Sequence, residues 1–135
     1  MLLEKYESYK DSGVEWLGEI PRGWVIQRLK YITDKIGDGI HSTPVYIDDS
    51  EYFFINGNNL KNNKVVLSRN TSCVSIQEYK KYKLDLNNKT ILMSINGTIG
   101  SLAFYAGEKI MLGKRAAYIN FKQKKSRYYF YYLLG

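Results

Sequence analysis

Cationic, amide and hydroxyl side chains recur in the predicted loops of this sequence. Recognition of duplex DNA requires cations on phosphates and amide, hydroxyl or guanidinium groups on base edges. Both kinds occur together, and the residues that we predict to face DNA are His41, Thr43, Asn56, Asn58, Lys61, Ser94, Asn96, Thr98, Lys114 and Arg115. An asparagine in a turn is also favoured for its backbone tolerance. That second interpretation is preferred for Asn62, Asn63, Asn87 and Asn88.

The sequence offers little evidence for a catalytic site. His41 is the one histidine, and neither a Ser-His-Asp set nor an HExxH pair is present. The acidic loop residues Asp48, Asp49 and Glu51 could hold a divalent ion, although such residues are more often simply solvated. Cys73 has no nearby base in the sequence, so a nucleophilic role is not indicated. We therefore predict a protein that is not an enzyme and that binds neither a metal nor a cofactor itself.

The overall charge is basic. Lysine and arginine number 20 against 13 acidic residues, giving a formal charge of +7, and thirteen tyrosines help to bring the aromatic content to 15%. A basic surface with many aromatic and amide groups favours a polyanionic partner, most often nucleic acid. The alternative is that a composition rich in lysine and asparagine produces the charge without any binding role.

Length and composition predict a single domain, residues 1–135, in a cytosolic setting. A chain of 135 residues can bury a core without disulfides, and one cysteine cannot form an internal disulfide. Because no apolar run approaches 18 residues and the N-terminus does not resemble a signal peptide, a membrane partner is not expected.

A β-hairpin at residues 90–105 is predicted to organise the fold. Two apolar, β-prone runs flank Asn96-Gly97, a dipeptide that is typical of a tight hairpin turn. The tip carries the polar side chains of Ser94, Asn96 and Thr98, and Gly97 and Gly100 would let it approach a ligand closely. The hairpin could therefore serve both the core and a binding face.

The remaining elements are short, and they predict an α+β fold. We expect an anchoring arm at residues 1–24, with Trp16 packing on the domain surface. Ser75 and Glu78 have the spacing of a capping box, and Ser126 could cap the last helix. Strands are predicted at residues 25–29, 45–47, 52–56, 65–67, 109–112 and 116–121, and helices at residues 29–35, 76–84 and 127–134. This order indicates a twisted, mostly antiparallel or mixed sheet with a few short helices.

Several of these motifs also occur together in a known family. The residues from Tyr9 to Trp24, the loop at residues 37–44, the segment at residues 54–60 and the hairpin at residues 91–100 resemble, in order, a target recognition domain of a type I restriction-modification specificity subunit. The resemblance implies a non-catalytic domain that reads one half of a bipartite duplex-DNA target. It also implies a methyltransferase subunit and a restriction subunit as partners, with S-adenosylmethionine, ATP and magnesium bound only by them.

The resemblance also has a departure. In the family a long helix and a second recognition domain follow, whereas this sequence stops at Gly135. Residues 126–135 are therefore expected to be the start of a truncated C-terminal helix. The alternative is a fragment that acts as an interaction module or decoy on the methyltransferase subunit. A metal-dependent nuclease using the carboxylates of residues 48–51 is the third possibility.

Overall fold

A computed structural model describes residues 9–11, 19–21, 29–95 and 101–134. The described residues fall into two compact units, divided between Tyr31 and Ile32. The helices are α1 (Leu29–Ile32), α2 (Ile76–Lys81) and α3 (Lys124–Leu134). The strands are β1 (Tyr9–Asp11), β2 (Glu19–Pro21), β3 (Thr33–Asp38), β4 (Tyr46–Ile47), β5 (Tyr52–Ile55), β6 (Leu60–Lys61), β7 (Lys64–Val65), β8 (Cys73–Val74), β9 (Thr90–Ser94), β10 (Leu102–Phe104), β11 (Ile110–Leu112) and β12 (Ala116–Phe121).

The first unit contains an antiparallel pair of short strands, β1 and β2, in which Lys10 lies opposite Ile20. The predicted arm includes both strands. Its tryptophans, Trp16 and Trp24, and most of the strand predicted at residues 25–29 lie outside the described residues. Leu29, the last residue of that predicted strand, belongs instead to α1.

The second unit contains two four-stranded sheets. The first has the order β10-β9-β12-β3 and is antiparallel throughout. The second has the order β11-β5-β8-β4, and its β11–β5 pair is parallel. Strands and short helices thus form antiparallel and mixed sheets, so the predicted α+β class is confirmed.

The core contains side chains from both sheets. Leu92 and Tyr118 come from the first sheet, Ile55 and Leu112 come from the second, and all four are at most 3% exposed. Every residue of β12 is buried, which is expected for a strand paired on both sides and covered on both faces. No helix within the described residues is long and apolar enough to cross a membrane.

Residues 33–35 were predicted as helix, and this prediction is wrong. Helix α1 ends at Ile32, and Thr33 already begins β3. The strand pairs with β12 from Ala117–Asp38 to Phe121–Thr33, so tertiary pairing overrides the local propensity. The same pairing places Gly37 and Asp38, which were predicted as loop, at the end of the strand.

The other elements match the prediction more closely. Strand β12 has the predicted bounds, whereas α2 ends at Lys81 rather than Leu84 and α3 begins at Lys124, before the predicted cap Ser126. Strands β9 and β10 form the predicted antiparallel hairpin, while its turn, residues 96–100, lies outside the described residues.

Asn62 and Asn63 have φ values of 51° and 59° and join β6 to β7. Both values lie in the left-handed region that a two-residue hairpin turn requires. The preferred interpretation of these two asparagines as turn residues is therefore confirmed.

Candidate nucleic-acid interface

A surface cleft of about 480 Å³ lies where three strands end. β3 ends just before the loop containing His41, β5 ends just before Asn56, and β11 ends just before the turn at residues 113–115. Because β5 and β11 are parallel, with Ile55 opposite Leu112, their carboxyl ends meet at one edge. The cleft is lined by Ile40, His41, Ser42, Thr43, Tyr46, Phe54, Asn56, Asn58, Lys114 and Arg115.

Six of the ten predicted residues therefore come together. They are His41, Thr43, Asn56, Asn58, Lys114 and Arg115. These six residues lie on three segments that are far apart in the sequence, so their convergence is independent of the local patterns that suggested them. The arrangement combines cations, amides and a hydroxyl on one concave surface.

The turn at residues 113–115 connects the second sheet to the first and presents the two cations. The Gly113 N–H donates to the Ile55 carbonyl at 2.8 Å, and the Ala116 N–H donates to the Gly113 carbonyl at 3.2 Å. The Arg115 carbonyl accepts from the Ile95 N–H at 3.1 Å. The side chains of Lys114 and Arg115 are exposed, so a hydrogen-bonded backbone presents two charges to solvent.

The loop that contains His41 also lines the cleft and is held at both ends. The Ile40 N–H donates to the Leu112 carbonyl at 2.9 Å. The Val45 N–H donates to a carboxylate oxygen of Glu78 at 3.2 Å, which ties the loop to α2. Gly39 lies so close to β11 of the second sheet that an added Cβ would overlap the backbone of Leu112. The close approach explains why a glycine is needed there.

His41 makes a local contact. Its Nε2 lies 2.8 Å from Oδ2 of Asp38, and both side chains are substantially exposed. The contact orients the imidazole beside the exposed hydroxyls of Ser42 and Thr43. This loop therefore offers several hydrogen-bonding groups to the cleft.

The cleft has a positive lining. Within the described ranges, no carboxylate lines it, and neither Lys114 nor Arg115 forms an ion pair. Cations without a protein partner remain available for an anion, and a concave surface of one charge sign concentrates its potential. The electrostatics suit a phosphate backbone.

Sequence reasoning missed the aromatic wall of the cleft. The rings of Tyr46 and Phe54 lie 5.9 Å apart, centroid to centroid, at 56°. Tyr46 is 47% exposed, so its ring is open to a ligand. The abundance of tyrosine was visible in the sequence, but which rings face the cleft depends on β4 and β5 both pairing with β8.

Of the other four predicted residues, two have described positions away from the cleft lining, and two lie outside the described residues. Lys61 is exposed on β6 and does not line the cleft. Ser94 is only 7% exposed, and its hydroxyl oxygen accepts from the Ser101 N–H at 3.0 Å. This contact closes the hairpin, and it leaves Ser94 off the surface that a large ligand can reach. Asn96 and Thr98 lie outside the described residues.

The acidic residues of the β4–β5 connection do not converge on a metal site. Glu51 accepts from Nζ of Lys109 at 3.0 Å, and this neighbouring ammonium lowers the pKa of the Glu51 carboxyl below its ordinary value. Asp48 and Asp49 line a different pocket, together with Arg69. Among the residues that the structure describes, no three metal-ligating side chains cluster. Glu51 is therefore paired with a lysine ammonium and is not part of a metal-ligating cluster with Asp48 and Asp49.

A concave surface with unpaired cations, amides, hydroxyls and aromatic rings is typical of a nucleic-acid-binding domain. The family model for the type I restriction modification DNA specificity domain matches residues 21–134, so the chain belongs to this family. The family is a non-catalytic one that recognises DNA sequence in type I restriction-modification systems. The comparison with curated proteins gives no match. The family suggested by the sequence motifs is therefore confirmed.

Proposed function

We propose that this domain reads one half of a bipartite duplex-DNA target, and that the cleft at the ends of β3, β5 and β11 is the surface that contacts DNA. The observation that carries the proposal is the convergence of Lys114 and Arg115, both without an ion-pair partner among the described residues, with the amide of Asn58 and the hydroxyl of Thr43. The cations would bind phosphates, and the neutral polar groups would reach base edges.

The roles proposed for the cations and the other polar groups follow from their side-chain chemistry. Lysine binds phosphate as a point charge, whereas the planar guanidinium of Arg115 can form paired hydrogen bonds with a phosphate or with a guanine edge. Asn58 supplies an amide and His41 supplies an imidazole as further hydrogen-bonding groups. Lys61 remains a candidate for a contact outside the cleft, and Asn96 and Thr98 remain candidates for DNA contacts.

The methyltransferase and restriction subunits of a type I complex are the proposed protein partners. They would bind S-adenosylmethionine, ATP and magnesium, and this chain would contribute the sequence recognition. By itself, the domain should bind DNA near the non-specific regime, with a Kd of about 10⁻⁴–10⁻⁶ M at physiological salt.

The test has two stages. Selection from a randomised duplex library first identifies the preferred half-site, and fluorescence anisotropy then gives the affinity at several salt concentrations. Each phosphate contact contributes about −0.9 to the slope of log K against log salt. Replacing Lys114 and Arg115 with alanine should therefore flatten the slope by about 1.8. Between about 50 and 200 mM salt, the wild-type affinity should fall about twelvefold more than that of the variant.

Lys89→Ala is the matched control. Lys89 is exposed but precedes Thr90, at the end of β9 remote from Ser94 and the cleft. A strand of five residues spans about 17 Å, so this lysine lies well away from the proposed surface. If Lys89→Ala flattens the slope as much as the double variant does, the cleft is not the DNA-binding surface. Selection without any enrichment would reject sequence-specific reading.

A second function, an interaction module or decoy on the methyltransferase subunit, is favoured by one observation. Tyr129 and Tyr132 of α3 are 70% and 77% exposed, and exposed aromatic side chains are enriched at protein interfaces. The decoy function predicts capture of the methyltransferase subunit together with a flat salt slope. A nuclease would instead cleave duplex DNA in the presence of magnesium.

A further inference from the structure

Asn56 lines the cleft, but its side chain is already engaged by the protein. Oδ1 of Asn56 accepts from the Arg115 N–H at 3.0 Å, across 59 residues of sequence. The backbone of Asn56 is held as well, because its N–H donates to Oδ1 of Asn59 at 3.1 Å and its carbonyl accepts from the Asn59 N–H at 3.0 Å. Asn56 is thus fixed at its backbone and at its side chain.

This geometry differs from that of a residue that reads a base. An asparagine that recognises adenine uses its carbonyl oxygen and its amide nitrogen together, with the amide plane directed at the base edge. The plane of the Asn56 amide is instead set by the Arg115 N–H, because its oxygen is directed at the protein backbone. The side chain of Asn58 is exposed, and this position carries no comparable side-chain contact in the part of the chain that the structure describes.

The contact supports the turn that carries the two cations. The turn at residues 113–115 has three backbone hydrogen bonds, and the Asn56 amide satisfies the N–H of Arg115. Without this acceptor, the N–H would turn toward water and the turn would lose one of its links to the second sheet. Lys114 and Arg115 would then lose the geometry in which both can reach phosphates.

We propose that Asn56 is a positioning residue, which holds the Lys114–Arg115 turn in the conformation that binds phosphates and does not read a base. The proposal rests on the proposed function, since it assigns a role within the same cleft. It makes Asn56 a determinant of affinity for every DNA sequence. Discrimination between sequences is left to other residues of the surface.

The first test is Asn56→Ala, measured on the duplex obtained by selection and on a scrambled duplex. Affinity should fall on both duplexes, and the salt slope should flatten by about 0.9 to 1.8, as one or two phosphate contacts are lost. The ratio of the two affinities should stay within about twofold, because phosphate contacts carry no sequence information. In the Lys114→Ala/Arg115→Ala background, Asn56→Ala should weaken binding by less than about a further twofold.

Hydrogen exchange of the Arg115 amide is a separate readout that requires no DNA. It should accelerate in Asn56→Ala, which lacks the acceptor. Asn56→Asp keeps an oxygen acceptor, so the Arg115 amide should stay protected and the sequence preference should be unchanged. Introducing a carboxylate beside two cations lowers DNA affinity under either role, so the discriminating readout for Asn56→Asp is sequence preference. This variant also decides the matter if Asn56→Ala does not fold.

Asn87→Ala is the matched control, because Oδ1 of Asn87 accepts from the Lys89 N–H at 2.8 Å in a turn that does not line the cleft. Its salt slope should equal that of the wild type. A changed sequence preference in Asn56→Ala or Asn56→Asp, or a loss of affinity that adds fully to that of the cation variant, would overturn the positioning role. A flat slope for the wild-type chain would instead reject the proposed function, while exchange at Arg115 would still report on the contact.

Discussion

Replacing Asn120 with leucine should destabilise the fold without altering the cleft. Asn120 is 4% exposed on β12, where its Oδ1 accepts from the Thr90 hydroxyl at 2.5 Å and its Nδ2 donates to the Asp85 carbonyl at 2.7 Å. Thr90 is fully buried, and its hydroxyl oxygen also accepts from the Asn87 N–H at 3.0 Å. One amide thus joins β12, β9 and the loop that precedes β9.

The expected magnitude follows from the groups left unpaired. Leucine has the same number and branching of side-chain heavy atoms but neither donates nor accepts, so the Thr90 hydroxyl loses its acceptor and the Asp85 carbonyl loses its donor. A buried polar group without a partner costs about 1–3 kcal/mol. Because Asp85 itself is exposed, water can replace part of the second bond. We expect a loss of about 2–4 kcal/mol in the free energy of unfolding.

Urea denaturation followed by tyrosine and tryptophan fluorescence measures this loss. With an m-value of about 2 kcal/mol/M, the middle of the usual range, the midpoint should fall by about 1–2 M. Thr90→Val in the same chain removes the Thr90 hydroxyl, which Asn120→Leu leaves without its acceptor. The double variant should therefore lose less stability than the sum of the two single variants, by about 1 kcal/mol.

Two outcomes would refute this reasoning. The first is a free energy of unfolding for Asn120→Leu within about 0.5 kcal/mol of the wild-type value, the range of an ordinary surface substitution. The second is strict additivity in the cycle with Thr90→Val. Asn88→Ala, an exposed change in the same loop, is the control and should stay within that range. DNA affinity of the folded Asn120→Leu protein should be unchanged, because the Asn120–Thr90 pair is about 13 Å along the strands from the Ala116–Ser94 pair.

Three further predictions concern other parts of the second unit. Arg127 is 6% exposed, donates to the carbonyls of Thr90 and Tyr105, and has no described partner for its Nε. In denaturant titrations, Arg127→Ala should lower the free energy of unfolding by about 3 kcal/mol, and Arg127→Met should lower it by less. Gly39→Ala should cost about 1–3 kcal/mol and weaken DNA binding, because the new methyl group would displace the loop from the Leu112 backbone; unchanged binding and stability would contradict this contact. Burial, with smaller effects from neighbouring groups, raises the pKa of Tyr105 from 10.0 to about 12. Above the unfolded value the denatured chain releases this proton first, so stability should fall from pH 10.0 to about 12, and Tyr105→Phe should remove that part of the fall in a pH series of melts.

Local sequence patterns were sufficient for several elements. The sequence predicted β12 with its observed bounds. Ser75 caps α2 as expected, with its hydroxyl accepting from the Glu78 N–H at 3.2 Å. The carboxylate of Glu78, however, binds the Val45 N–H across the structure, a long-range contact that the capping-box pattern does not include. Spacing along the chain predicts contacts between residues within a turn, but it does not predict contacts between residues that are far apart in the sequence.

The amides, hydroxyls and cations that line the cleft were also predicted from the sequence, since recognition of base edges and phosphates requires these groups whatever the fold. The motifs were enough to indicate the family. Ser94 shows the limit of this reasoning, because its polarity suggested exposure, whereas hairpin closure buries it. Burial is a property of packing, and a hydroxyl bonded to the backbone is compatible with either environment.

The sequence alone determined the basic charge, the lack of a recognisable catalytic motif, the hairpin strands and the chemistry of the groups predicted to bind DNA. Only the tertiary structure decided which of those groups meet. The parallel pairing of β5 with β11 places Asn56 beside Arg115, and the pairing of β3 with β12 brings the His41 loop to the same edge. Parallel pairing depends on long-range burial and not on a local turn, so no short segment encodes it. The cleft exists because three strands that are distant in the sequence end at one place.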